Sequence, residues 1–228
     1  MDNLIKRVIG TTLLTILLFS GILAIPLEGL FSSTTFSVIQ IDKIALFLKS
    51  LLIISLSLFV IKKLSIKALA GLDKQFSWTK KYLVFISLYL LILGVLQIVG
   101  EDFSKVQSID ILLLFLSTMA IGLSEELVFR GLLQSVYIKQ YHEKKSQVFY
   151  SVLLPAIIFG LLHLLDFEMK NLAKEISQLL YAVFFGVFFW RTFIENKQTY
   201  STGYCTWFNK FCFWVFRYIE QRNSCNRY

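Results

Sequence analysis

The chain has 228 residues, 56% hydrophobic and only 17% charged, with a mean hydropathy of +0.67 and a formal charge of +8. Ordinary soluble domains carry about 45–50% apolar and ~25% charged residues, so disordered, collagenous and disulfide-stapled chains are excluded; a single soluble core does not suit the long unbroken apolar runs. The excess of Lys and Arg reads as the cytoplasmic loops of a membrane protein rather than as a nucleic-acid surface, and the three cysteines, Cys205, Cys212 and Cys225, are too few and too clustered for a disulfide framework.

A helix needs ~20 mostly apolar residues to cross ~30 Å of hydrocarbon. In chain order the candidates are Val8–Ile25, Ile44–Ile61, Tyr82–Val99, Ile109–Ile138, Phe149–Leu165 and Ile176–Ile194, with a weaker stretch from Trp207 to Ile219. Lys6 and Arg7 precede the first run, as in a signal peptide. Its length of about 18 residues exceeds the usual ~7–15, and no small-x-small cleavage site follows, so it reads as a retained anchor. The expected fold is all-α: a polytopic membrane helix bundle of six transmembrane helices plus a weak seventh.

Orientation follows from the Lys and Arg of the short loops. Lys62, Lys63, Lys67, Lys74, Lys80 and Lys81 face only Asp73, which puts the second loop in the cytoplasm. Glu101, Asp102 and Asp110 outnumber Lys105 in the third, which suits the outside, and Lys139, Lys144 and Lys145 bring the fourth back in. The N-terminus is then cytoplasmic. The alternation fails only at the seventh stretch, where Arg217, Arg222 and Arg227 would lie outside.

Ionisable groups inside a spanning segment are costly and by default mark function. The fourth run carries Ser124-Glu125-Glu126-Leu127-Val128-Phe129-Arg130 and the fifth Phe159-Gly160-Leu161-Leu162-His163. Glu126 and Arg130 are i,i+4 and suited to an ion pair. Glu125 is rotated ~100° around the helix from Glu126, and the residues three and four positions away on its own helix carry no positive charge. A carboxylate so placed suits a general base, and His163 can supply a second proton-handling group, with Phe159 as an apolar wall one turn before it. Counted from Lys139 and Lys145 at about 1.5 Å per residue, Glu125 and His163 lie ~21 and ~27 Å deep, near enough for ordinary tilt to bring them to one water.

Blander readings stand beside this one. Glu126–Arg130 alone is what a structural ion pair looks like, and a lone intramembrane His is often a packing hydrogen-bonder. The cluster also suits a proton relay or the polar lining of a transporter, although broken helices and an internal repeat, which would support transport, are not seen.

Glu125-Glu126-x-x-x-Arg130 followed by Phe159-x-x-x-His163 on the next helix resembles the CAAX prenyl protease and bacteriocin-processing (CPBP, or Abi) family of intramembrane proteases. The flanking Phe129-Arg130-Gly131 and Ile158-Phe159-Gly160-Leu161-Leu162-His163-Leu164 are similar too. The resemblance runs from about Leu112 to the end of the sixth helix, and residues 1–105 match only as additional helices. It implies an endopeptidase in which Glu125 and His163 activate water while Glu126 and Arg130 brace the site. Members of the family have been described both as metalloproteases and as metal-independent glutamate proteases. With no His-Glu-x-x-His pair here, a metal-free site is favoured, and a divalent metal at Glu125 and His163 stays open.

The family normally carries a third motif, His-x-x-x-Asn, on a later helix, with the expected role of holding the oxyanion. The two histidines of this chain are His142, in the Lys-rich loop, and His163, so that motif is missing. Its place is taken by a Cys- and Trp-bearing tail. Read one nucleotide later with permissible codons chosen to suit, Tyr204 to Trp214 spells Ile-Val-His-Gly-Leu-Ile-Asn-Phe-Val-Phe-Gly, which contains the motif. A frameshift near Gln198 is therefore one origin for the tail, and a divergent C-terminal helix is the other.

The chain is accordingly divided into accessory helices (1–105), a CPBP-like catalytic core (106–197) and an aberrant tail (198–228). The expected function is intramembrane peptide-bond hydrolysis of a peptide or membrane-protein substrate, in bacteriocin processing or self-immunity. The expected location is a multi-pass protein of a bacterial cytoplasmic membrane, with the lipid bilayer and no nucleic acid as partner. The alternative is a catalytically impaired membrane immunity or interaction protein that keeps the fold.

Overall fold

A computed structural model describes residues 2–31, 35–72, 92, 107–140 and 145–162. Every regular element among them is helical. They are α1 (Asp2–Leu23), a 3₁₀ turn (Leu27–Phe31), α2 (Val38–Lys63), α3 (Ser108–Glu125), a π-helical segment (Glu126–Gln134), α4 (Ser135–Gln140) and α5 (Lys145–Leu162). The stretches Val8–Phe31, Val38–Lys63 and Ser108–Gln140 are long and apolar enough to cross a membrane, and Phe149–Leu162 is a shorter apolar helix. These correspond to the first, second, fourth and fifth runs of the sequence. The third, sixth and seventh runs, with His142, His163 and the tail, lie outside the described residues.

The chain divides into two compact units that alternate along the sequence, and one of the boundaries falls between Glu125 and Glu126. In the unit holding residues 19–55 and 76–125, a polar arrangement fixes the start of α2. The Ser37 Oγ accepts from the Gln40 N–H at 3.3 Å and the Gln40 Oε1 accepts from the Ser37 N–H at 3.1 Å. This reciprocal capping box satisfies two donors that an α-helix leaves open at its N-terminus. The other end of the same amide is used as well: Gln40 Nε2 donates to Asp110 Oδ1 at 2.8 Å, with both residues buried. Lower on α2, Lys49 Nζ meets Glu28 Oε1 of the 3₁₀ turn at 2.7 Å.

In the unit holding residues 1–18, 56–75 and 126–200, α2 ends in a Schellman motif. The Ser65 N–H bonds to the Lys62 carbonyl and the Ile66 N–H to the Ile61 carbonyl, with Ser65 at a φ of 52°. Lys139 Nζ donates to the Leu64 carbonyl at 3.1 Å, adding a cation to a helix end whose last carbonyls are electron-rich. The hydroxyls of Thr12 and Tyr137 share a hydrogen bond of 2.7 Å, which ties α1 to α4. A Cβ at Gly131 would stand 3.3 Å from Ile61 Cδ1, so the glycine lets the π-helical segment lie close against α2. All nine residues of that segment are buried. By contrast α1 exposes Leu13, Leu14 and Leu17 by more than half their surface, a face suited to lipid.

Candidate active site

The first motif begins at the junction of α3 with the π-helical segment. Glu125 is the last residue of α3 and is half-buried, while Glu126 opens the π-helix and is buried. Turns of i→i+5 type are rare and recur at functional sites. The rise of about 1.5 Å per residue assumed from the sequence does not hold over this stretch. Nine residues on the path from Lys139 to Glu125 are π-helical, and wider turns pack more residues into each length of axis. The axial distance between Glu125 and Lys139 is therefore shorter than the ~21 Å that an α-helical rise gives.

The expected Glu126–Arg130 ion pair is present. Arg130 Nη1 donates to Oε1 and Oε2 of Glu126, each at 2.5 Å, and both side chains keep only about a tenth of their surface. A pair buried so deeply is held together by charge-assisted hydrogen bonds, and neither charge survives burial well without the other.

The second motif is met through Phe159 on α5. Its ring lies 4.9 Å from that of Phe129, tilted by 48°, so the residue between the motif-one charges packs on the residue one turn before His163. His163 itself falls one position past the described part of α5. Phe129, Arg130, Gln134, Val152, Pro155, Ala156 and Phe159 line a narrow crevice of about 20 Å³, room for about one water molecule, between the π-helical segment and α5. Pro155 has no N–H and so removes one helical hydrogen bond on the α5 wall.

Gln134 is the residue that sequence reasoning missed. It is 4% exposed, it lines the crevice, and its Nε2 has no hydrogen-bond partner. In the sequence it is one more polar residue near the end of a long apolar run. Its position one turn after Arg130 on a buried segment was the available signal.

Among the described residues no three of His, Cys, Asp and Glu come together as a metal-ligand set. Glu126, the carboxylate next in sequence to Glu125, is committed to Arg130.

Residues 107–212 match a family model described as type II CAAX prenyl endopeptidase Rce1-like. This part of the chain is similar to that family. The finding agrees with the CPBP resemblance carried by the two motifs, and it supports a protease-type enzyme in general. The matched stretch begins just before α3, contains both motifs and ends at Cys212, beyond Gln198 where the composition changes. Its two histidines are His142 and His163. No curated protein and no solved structure matches the chain.

Proposed function

We propose that this chain is an intramembrane endopeptidase of the CAAX-protease kind, in which Glu125 and His163 activate a water for peptide-bond hydrolysis. The observation that carries the reading is the build of the first motif in a region similar to type II CAAX prenyl endopeptidases: Glu126 is held by Arg130 in a buried ion pair, and Glu125, half-buried, is the residue before it at the end of α3. Glu125 takes a proton from water as the oxygen attacks the substrate carbonyl. His163 holds the water and hands a proton to the leaving amine. Glu126 and Arg130 fix the turn on which Glu125 stands, and Phe159 walls the site. No step is routed through a metal.

The same proposal takes the chain as a bundle of six transmembrane helices with a weak seventh and a cytoplasmic N-terminus, in a bacterial cytoplasmic membrane. Residues 1–105 are accessory, residues 106–197 the catalytic core and residues 198–228 an aberrant tail. The substrate is a peptide or membrane protein, with bacteriocin processing or self-immunity as the biological setting.

A second reading is favoured by one specific feature, the lack of any histidine after His163. Without a third-motif donor for the oxyanion, the chain is a catalytically impaired immunity or interaction protein that keeps the fold. Glu125→Ala and His163→Ala separate the two. A protease loses cleavage, or protection of the cell, with either change; a purely binding immunity protein keeps protection with both, provided the variants reach the membrane.

A further inference from the structure

Buried polar groups are almost always hydrogen-bonded, and each exception asks for a partner outside the protein's own atoms. Gln134 is such an exception: it is 4% exposed, and its Nε2 has no hydrogen-bond partner among the described residues. It stands at the end of the π-helical segment and lines the crevice shared with Arg130, Pro155 and Phe159. The terminal torsion of a glutamine is broad and roughly two-fold, so the amide can turn its N–H groups into the crevice without moving the backbone.

The size of the crevice decides what can meet them. Its volume of about 20 Å³ is room for about one water and too little for a peptide, a lipid chain or a hydrated ion. A bound water also needs at least two polar partners, since a purely apolar gap stays dry. Gln134 Nε2 is the first. The Arg130 guanidinium lines the crevice as the second; it carries N–H groups on Nε and Nη2 as well as on Nη1, which serves Glu126. Two such donors match the two lone pairs of a water oxygen. On the α5 wall stands Pro155, which brings no N–H to the turn before it. Helical turns opened by a proline within a membrane are among the places where ordered water settles.

We infer that the crevice between the π-helical segment and α5 is the binding site of a single ordered water, held by the Gln134 amide and the Arg130 guanidinium. The water completes the seam between the two motif-bearing segments. Phe129 and Phe159 join them by ring contact, and the water fills the gap that the rings leave beside Pro155. It also gives the Gln134 amide its partner. The site is a feature of how the first motif is seated, and it stands whether or not the chain cleaves peptides.

The test uses the full chain in detergent with isotope-labelled glutamine. The side-chain N–H signals of Gln134, assigned by their loss in Gln134→Met, are expected to show magnetic cross-relaxation with a long-lived water. Thermal unfolding supplies the second readout. Ala156 lines the crevice, and Ala156→Val would put methyl groups where the water sits. With Gln134 in place, this change should lower the melting temperature by about 2–4 °C, the shift expected in a chain of this length when one buried donor is stranded. Gln134→Met keeps the length and removes the donor. In that background Ala156→Val should be neutral or stabilising, because an apolar group then replaces a poorly held water. Crowding alone predicts the same loss in both backgrounds. Equal losses overturn the inference, and so do Gln134 signals that show no contact with water. Should Ala156→Val fail to fold, the cross-relaxation decides alone.

Discussion

Phe129 and Phe159 hold the two motifs together: their rings lie 4.9 Å apart, one on the π-helical segment and one on α5. Phe129 sits between Glu126 and Arg130 in sequence and is 3% exposed. Truncating it therefore empties the contact that sets the motif helices against each other. Phe129→Ala is expected to cost about 3–5 kcal/mol, read as a lower melting temperature in detergent. The double variant with Phe159→Ala should cost less than the sum of the singles by about 0.5–1.5 kcal/mol, the usual value of an aromatic pair. Strict additivity would mean that the rings do not support each other.

The ion pair next to it should show the asymmetry of buried charges. Removing one partner, as in Arg130→Met or Glu126→Leu, strands the other and should cost about 3–5 kcal/mol, whereas replacing both together should recover much of that loss. Arg130→Lys should fall between, because an ammonium does not reproduce the planar fork that reaches two carboxylate oxygens. Thermal unfolding of the four proteins measures this. If the double replacement is as unstable as the singles, the pair has a role beyond charge neutralisation.

Of these two contacts the ion pair was legible in the sequence and the ring contact was not. The i,i+4 spacing of Glu126 and Arg130 gave the ion pair, and unbroken apolar runs gave the described long helices, because lipid leaves the backbone few alternatives to a helix. The π-helical turn was not legible. Its residues, Glu126 to Gln134, look like any apolar helix with two charges, and nothing in their composition distinguishes i→i+4 from i→i+5 bonding. Gln134 was overlooked for the same reason: its meaning comes from a missing partner, which only coordinates reveal.

Gly131 tests how closely the π-helical segment must approach α2. A Cβ there would meet the Cδ1 methyl of Ile61 at 3.3 Å, and Ile61 is fully buried. The contact is with the flexible end of a side chain, so Gly131→Ala should be tolerated with a small loss, within about 1–3 kcal/mol for overpacking. Gly131→Ala combined with Ile61→Val should be more stable than Gly131→Ala alone, since the methyl that must move is gone. Melting temperatures of the parent and the two variants decide it; a double variant less stable than Gly131→Ala would place the strain elsewhere.

At the start of α2, Gln40 serves two elements with one amide, accepting from the Ser37 N–H and donating to Asp110. Gln40→Glu keeps the cap but sets a carboxylate against the Asp110 side chain, so it should destabilise more than Asp110→Asn, which removes the charge from that encounter. Substituting Ser37→Ala should cost about 0.5–2 kcal/mol through the cap alone. Protease accessibility of the loop before Ser37 and thermal unfolding report both effects. Equal stability of Gln40→Glu and the parent would show that the Asp110 contact contributes nothing.

The tail carries the sharpest prediction about activity. If a frameshift near Gln198 produced it, the gene read across codons 195–205 contains a shifted frame that encodes the His and Asn of a third motif, and sequencing that interval decides the point. A protein expressed from the restored frame would regain a donor for the oxyanion. Removal of one such donor elsewhere lowers kcat by about 10²–10³, so the restored protein should exceed the present chain by about that factor on a farnesylated Cys-Val-Ile-Met peptide. The comparison is made at equal membrane content, and Glu125→Gln should abolish the gain. A restored chain no faster than the present one would mean that the oxyanion is held by residues already in place.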